Sequence, residues 1–227
     1  MLRNESTNAN APAGVIMRQR SRGWAFRASA RPRCSTRNMG NAMKVESVAV
    51  ALFAVWFFSE GLILRTARDR SGANVDRRSL IILATSNMVL PWLSIALYFL
   101  NVGNAPFAPL TKIVGVVVMV SGFCIRWAGM WTLRKFFSAN VAVQSDHRLV
   151  IAGPYRFVRH PGYFGGWLAF VGLGLALGNV IAIVLLSVVT LPAFFFRIRV
   201  EEQALAGAFP DYRQYASKVK RFLPFVW

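Results

Sequence analysis

Apolar and polar residues alternate along this chain in long blocks, not with the short period of a soluble fold. Residues 45–64 form a first apolar block of twenty residues, the length a helix needs to cross roughly 30 Å of hydrocarbon. Residues 80–100 form a second, with Pro91 inside it as a candidate kink. Residues 110–133 form a third, interrupted by Arg126, which is expected to face protein or the interface. A polar stretch, 134–160, separates these from two more apolar blocks, 163–177 and 180–196, with only Gly178 and Asn179 between them. The first of these two is fifteen residues, short for a full span, so the pair is expected to form a tight helical hairpin. Residues 197–217 then alternate charged and apolar positions in a manner that fits an amphipathic helix lying at the interface. The pattern predicts an all-α integral membrane protein of about five transmembrane helices with a C-terminal interfacial amphipathic helix. Glu60 stands inside the first block, where burial is costly unless it is near an end or paired.

Composition supports that class. The 227 residues are 55% hydrophobic and 16% charged, whereas a soluble domain carries roughly a quarter charged residues. The net charge of +18 would point to nucleic acid in a soluble protein. Here the basic residues lie between apolar blocks, where they set membrane orientation, so no nucleic-acid partner is expected. Cys34 and Cys124 sit in a basic tail and an apolar block; they read as a tail thiol and a buried small hydrophobe. No metal-ligand spacing occurs, and no metal is expected.

Candidate chemistry gathers in the last third. Gln144, His147, Arg148, Tyr155, Arg156, Arg159, His160, Tyr163, Arg197, Arg199, Glu201 and Glu202 would meet at one membrane face, and the only two histidines are among them. By composition alone this is equally an interfacial loop whose Arg and Tyr residues anchor to headgroups. Arrangement favours a site. Gly153-Pro154-Tyr155 is a turn signal. Pro161 suits the first turn of a helix, whose unpaired N–H groups would then face the loop and suit a carboxylate. Gly162, Gly165 and Gly166 keep the first turns of that helix bare, for a ligand or for helix packing. Arg197 and Glu201, four apart, share one helix face. They read either as a surface ion pair of small value or as two ligand groups. In the second case Glu201 accepts from hydroxyls or an amine, and Arg197 holds an anion in its planar fork.

The runs His147-Arg148-Leu149-Val150, Gly153-Pro154-Tyr155-Arg156 and Arg159-His160-Pro161-Gly162-Tyr163 resemble the signature of the isoprenylcysteine carboxyl methyltransferase family. Glu201-Glu202, Phe209, Tyr212, Tyr215 and the closing Arg221-Phe222-Leu223-Pro224 resemble the rest of it. The likeness covers roughly residues 131–224; upstream, the spans resemble the family only in being apolar. One departure is Phe209-Pro210-Asp211-Tyr212, where many relatives have Phe-Gly and a spacing one residue longer, which bears on where the last helix ends.

The resemblance implies S-adenosyl-L-methionine as methyl donor. Gln144, His147, Arg148, Leu149, Val150, Tyr155, His160, Pro161, Gly162, Tyr163, Glu201 and Glu202 would line its pocket. Arg197, with Arg199, would bind the acceptor, and Arg197, Glu201 and His160 would be the catalytic set. With the apolar pattern upstream, the expected division is a basic disordered tail over 1–43, three transmembrane helices over 44–133 and a methyltransferase region over 134–227, made of cofactor loop, hairpin and C-terminal helix. The implied acceptor is a lipophilic or prenylated small molecule or peptide, reached from the bilayer. A carboxylate is already ionised at neutral pH, so its methylation needs no base; an amine or thiol would need one, with His160 or Glu202 as candidates. Three alternatives stand beside this one. They are a phospholipid N-methyltransferase, an NADPH-dependent membrane reductase (usually longer), and a non-enzymatic membrane protein, which has no use for the polar cluster.

Orientation exposes one conflict. The loop 65–79 carries Arg65, Arg68, Arg70, Arg77 and Arg78, the stretch 134–160 is also basic, and the tail after Phe196 is basic again. Loops 101–109 and 178–179 carry no basic residue. Positive loops stay cytoplasmic, which puts the site on that face and the N-terminus on the other. Yet residues 1–43 hold eight arginines and Glu5 as their sole acid, without apolar periodicity. That composition reads as a transit peptide, as a miscalled start with translation beginning at Met39 or Met43, or more weakly as a membrane- or RNA-binding tail. The expectation is that residues 1–42 are absent from the working protein. Amino-terminal sequencing of the protein from its own host should find a chain beginning near Met43; one beginning at Met1 would contradict it.

Overall fold

A computed structural model describes residues 36–68, 77–133 and 149–223, with side chains over 45–62, 78–133 and 149–223. Long helices dominate because each apolar block satisfies its backbone groups internally, as hydrocarbon requires. They are α1 (Thr36–Arg68), α2 (Arg77–Phe99), α3 (Pro109–Leu133), α4 (Pro161–Leu177), the short α5 (Val180–Val184), α6 (Leu191–Ala208) and α7 (Tyr212–Lys218). Among the described residues four segments are long and apolar enough to cross a membrane: Val45–Leu62, Arg78–Phe99, Pro109–Leu133 and Val180–Ala208. The fourth expected block, 163–177, lies in the helix Pro161–Leu177, which has only seventeen residues. Pro91 lies inside α2, which continues through it.

The closest packing is between α3 and α4. Gly115, Gly122 and Gly129 recur every seventh residue on α3; Gly165 and Gly172 do so on α4. A Cβ placed on Gly165 would lie 2.6 Å from the backbone nitrogen of Arg126, and one on Gly122 would lie 2.6 Å from the carbonyl oxygen of Gly165. A Cβ on Gly115 or Gly172 would overlap the backbone of Ala176 or Met119. The two backbones therefore touch directly, the mode of association open to helices in lipid, where apolar side chains gain nothing from leaving their surroundings.

Two charge pairs tie α1 to α3. Lys112 pairs with Glu46, and Arg126 Nη2 lies 2.6 Å from Glu60 Oε2. Each helix carries its two charges fourteen residues apart, about 21 Å along the axis. One pair thus braces each end of two helices running the same way. Trp56 of α1 stacks on Phe123 of α3 between them, ring centroids 4.7 Å apart.

The hairpin forms as its chemistry indicates. Gly178 takes the left-handed conformation (φ 64°), and Asn179 caps α5 by accepting from the Ala182 N–H at 2.8 Å. The fully buried Asn179 amide also donates to Val102 O and Asn104 Oδ1, both at 2.7 Å, joining hairpin and 100–108 loop. A π-helical turn, Leu185–Val189, follows. Trp167 of α4 donates to its Ser187 carbonyl at 2.8 Å.

Two expectations need correction. The charged stretch 197–217 is not one helix of its own. Arg197 lies in the middle of α6, which ends at Ala208; Phe209 is extended (φ −121°, ψ 113°), and α7 starts at Tyr212. The polarity changes at 197, but the backbone ladder continues, because Arg197, Glu201 and Glu202 have partners inside the protein and Arg199 is exposed on the outer face. Cys124, expected to be buried, is exposed on α3, since the outer face of a spanning helix meets lipid.

Gly172→Leu is expected to lower the midpoint of thermal unfolding in detergent by roughly 10 °C or to prevent folding, because backbone must move to admit it. Gly207, exposed on α6 with nothing within 4 Å of an added Cβ, supplies the control. Gly207→Ala should leave the midpoint unchanged or raise it by the equivalent of about 0.5–1 kcal/mol.

Candidate active site

The site is built on the first turn of α4. Its N-cap is His160, with Pro161 opening the helix and no side chain capping its N–H groups. The preceding chain turns through Gly153 (φ 59°) and a 3-10 turn, Gly153–Arg156. Arg126 fixes the turn's position from α3: its Nη1 donates to Gly162 O at 3.0 Å while Nη2 pairs with Glu60. A Cβ added at Gly162 would meet nothing closer than Arg126 Nη1 at 3.9 Å, so the approach to this turn is open.

α6 runs beside this turn and brings three charged side chains to it. The Tyr163 hydroxyl donates to Glu201 Oε2 at 2.8 Å, and the same hydroxyl faces the Arg197 guanidinium. Arg197 is only 2% exposed. It is therefore no member of a solvated surface pair, and its Nη1 donates to Ser79 Oγ on α2 at 2.9 Å. Glu202 turns toward the start of α4 and the C-terminal segment. Its carboxylate lies 3.2 Å from His160 Nε2, 3.2 Å from Arg159 Nε and 2.9 Å from Arg221 Nε.

The C-terminal segment closes over the site. The Arg159 N–H donates to Lys220 O at 2.8 Å, and Arg159 Nη1 to Ala216 O at 3.2 Å. Tyr215 donates to Tyr155 O at 2.7 Å. Phe222 is buried among the rings of Phe164, Trp167 and Phe195. Burial, and then the nearby charge of Glu201, pushes the Tyr155 phenol well above its ordinary range, outweighing Arg126. Burial pushes Tyr215 up to about 12, against the lowering field of Arg159 and with Glu202 adding to the rise. Tyr212 is raised by burial and then by Glu202. All three stay neutral hydroxyls throughout the physiological range.

His160, Pro161, Gly162, Tyr163, Arg197 and Glu201 thus come together, with Glu202 just behind His160. Tyr155 joins them through its field and its bond to Tyr215. Leu149 and Val150 are half-buried residues without regular secondary structure, shortly before the 3-10 turn. Arg199 is exposed, two residues round α6 from Arg197. Gln144, His147 and Arg148 lie outside the described residues. Among the described residues no three His, Cys, Asp or Glu side chains gather as a metal-ligand set. Sequence reasoning missed Ser79, which gives no signal of its own. It noted Glu60 and Arg126 separately, as charges in need of an explanation, but not as partners.

Residues 114–207 match the model of the isoprenylcysteine carboxyl methyltransferase (ICMT) family. A probable protein-S-isoprenylcysteine O-methyltransferase of Oryza sativa subsp. indica is 31% identical over 186 residues, covering 75% of this chain and 96% of the rice protein. The protein-S-isoprenylcysteine O-methyltransferase of Schizosaccharomyces pombe is 37% identical over 108 residues, 46% of each chain. The solved structure of a eukaryotic intramembrane Ras methyltransferase, ICMT, superposes with a TM-score of 0.60 at 24% identity, covering 82% of this chain and 68% of that one.

Proposed function

As a member of the isoprenylcysteine carboxyl methyltransferase family the chain is an integral, multi-pass membrane methyltransferase, and we propose that it methylates the carboxylate of a C-terminal isoprenylcysteine with S-adenosyl-L-methionine as donor. The observation that carries this reading is the Tyr163 hydroxyl between Glu201 and the buried Arg197, at the open first turn of α4. An acidic group and a basic group stand side by side, one suited to a cationic, hydroxyl-bearing donor and the other to an anionic acceptor.

The residues present fit such a donor. Gly162 leaves space beside N–H groups suited to the donor's carboxylate. Glu201 is positioned to accept from hydroxyl or amine groups, and Tyr163 and the neutral Tyr155 supply phenolic walls. His160 is oriented by Glu202 from behind. Leu149, Val150, Pro161 and the loop residues Gln144, His147 and Arg148 complete the proposed pocket. When bound, the donor supplies a methyl group on a sulfonium centre, open to in-line displacement. Arg197 holds the acceptor carboxylate in its fork and directs one oxygen, taking no proton. Catalysis then rests on alignment and on excluding water, in keeping with the burial of Arg197. Arg199, exposed on the far side of α6, serves the headgroup region.

A carboxylate acceptor also suits the surroundings of His160. An amine acceptor would need a base, but Glu202 is already engaged by the guanidiniums of Arg159 and Arg221 and by His160, and His160 by Glu202. The basic loops flanking the site support a cytoplasmic active face. A prenylated acceptor would enter from the bilayer between helices.

Purified full chain in detergent should transfer labelled methyl to an N-acetylated S-prenylcysteine, forming a base-labile ester, and not to phosphatidylethanolamine. Arg197→Ala should keep affinity for S-adenosylhomocysteine but lose about 100-fold in transfer, the scale of a broken buried charge pair. Methylation of phosphatidylethanolamine with none on the prenylcysteine would overturn the reading.

A further inference from the structure

The side chain that steers Arg197 comes from far away in the chain. Ser79 lies in the first turn of α2, 118 residues from Arg197, and is 0% exposed. Its hydroxyl oxygen accepts from Arg197 Nη1 at 2.9 Å. It lies outside both the stretch 131–224 that carries the motifs and the stretch 114–207 matched by the family model.

An arginine side chain has several rotatable bonds, and a buried guanidinium can meet a carboxylate with both N–H rows only if its plane is held. In a site closed to water, a hydrogen bond to a charged donor is worth more than an ordinary one, and leaving such a donor unsatisfied is costly. The Ser79 hydroxyl holds one corner of the fork from α2, and the Tyr163 hydroxyl faces it from α4. The plane of the guanidinium is thereby fixed by two helices other than its own. α2 packs along α6, α5 and the π-helical turn, so its first turn has a settled position relative to the site.

We infer that Ser79 is a positioning residue for acceptor binding, holding the Arg197 fork in the orientation that receives the acceptor carboxylate. The inference rests on the assignment of Arg197 to the acceptor. It makes a specific division of labour: donor binding, which belongs to α4 and Glu201, does not depend on Ser79, whereas acceptor binding does. The α2 helix, which lies outside every motif of the last third, becomes part of acceptor recognition.

The test uses the full chain in detergent, with S-adenosylhomocysteine titrated by heat and initial rates measured against an N-acetylated S-prenylcysteine. Ser79→Ala, a smaller side chain that fits the same space, should raise the acceptor KM about ten-fold. Its affinity for S-adenosylhomocysteine should stay as in the wild type, and its thermal midpoint should fall by only a few degrees, the cost of one unpaired N–H. Ser79→Thr, which keeps the hydroxyl, should recover most of the loss. An unchanged acceptor KM in Ser79→Ala overturns the inference. So does a loss shared equally between donor affinity and acceptor KM, which marks a merely structural residue. Arg197→Ala separates the two levels. If it raises the acceptor KM and Ser79→Ala does not, the inference falls and the assignment of Arg197 stands. If it matches the wild type, both fall.

Discussion

The direct contact of the α3 and α4 backbones is the constraint from which the rest of the architecture follows. Glycines at seven-residue spacing remove the side chains that would hold the two helices apart. Arg126 stands at the site end of that contact and acts twice. Its backbone lies against Gly165, and its guanidinium reaches past the helix to Gly162 O and Glu60. A buried ion pair adds little net stability, since desolvation offsets the attraction, but removing one partner is strongly unfavourable. The Glu60–Arg126 pair is therefore better understood as a device that fixes where α4 begins. The first turn of α4, with His160, Gly162 and Tyr163, has its place because of it.

α6 supplies the opposite wall, and two adjacent acids on it face different ways. Glu201 turns to Tyr163, inside the site. Glu202 turns to His160, Arg159 and Arg221, and thereby joins the loop, the start of α4 and the C-terminal segment. Phe222 adds an apolar anchor to that closure. One acid thus belongs to the proposed ligand chemistry and its neighbour to the closure around it.

Local chemistry made some elements legible in the sequence. Pro161 marked a helix start, Gly178-Asn179 marked a hairpin, and the apolar blocks marked spans, because each signal lies within a few residues of the structure it determines. The end of the hairpin's second arm was not legible. The change from apolar to charged at Arg197 looks like a boundary, but backbone hydrogen bonding along α6 is indifferent to side-chain polarity when each charge has a partner or reaches the outer face. The pairing of Glu60 with Arg126 and of Ser79 with Arg197 was hidden for another reason. Each joins residues far apart in the chain, and nothing local in a helix sequence tells which neighbour it will face. Of the site, the residues carried by motifs, Tyr163, His160, Arg197 and Glu201, were legible; those that hold them in place were not.

The claim on which all else depends is that the α4 turn and Glu201 form a methyl-donor pocket. The most direct test is the heat of S-adenosylhomocysteine binding to the full chain in detergent, with Glu201→Gln and NADPH as comparisons. Saturable heat from wild-type protein, lost in a folded Glu201→Gln variant and missing with NADPH, is the expected result. No heat from folded wild-type protein, or saturable heat with NADPH in its place, would contradict the donor pocket.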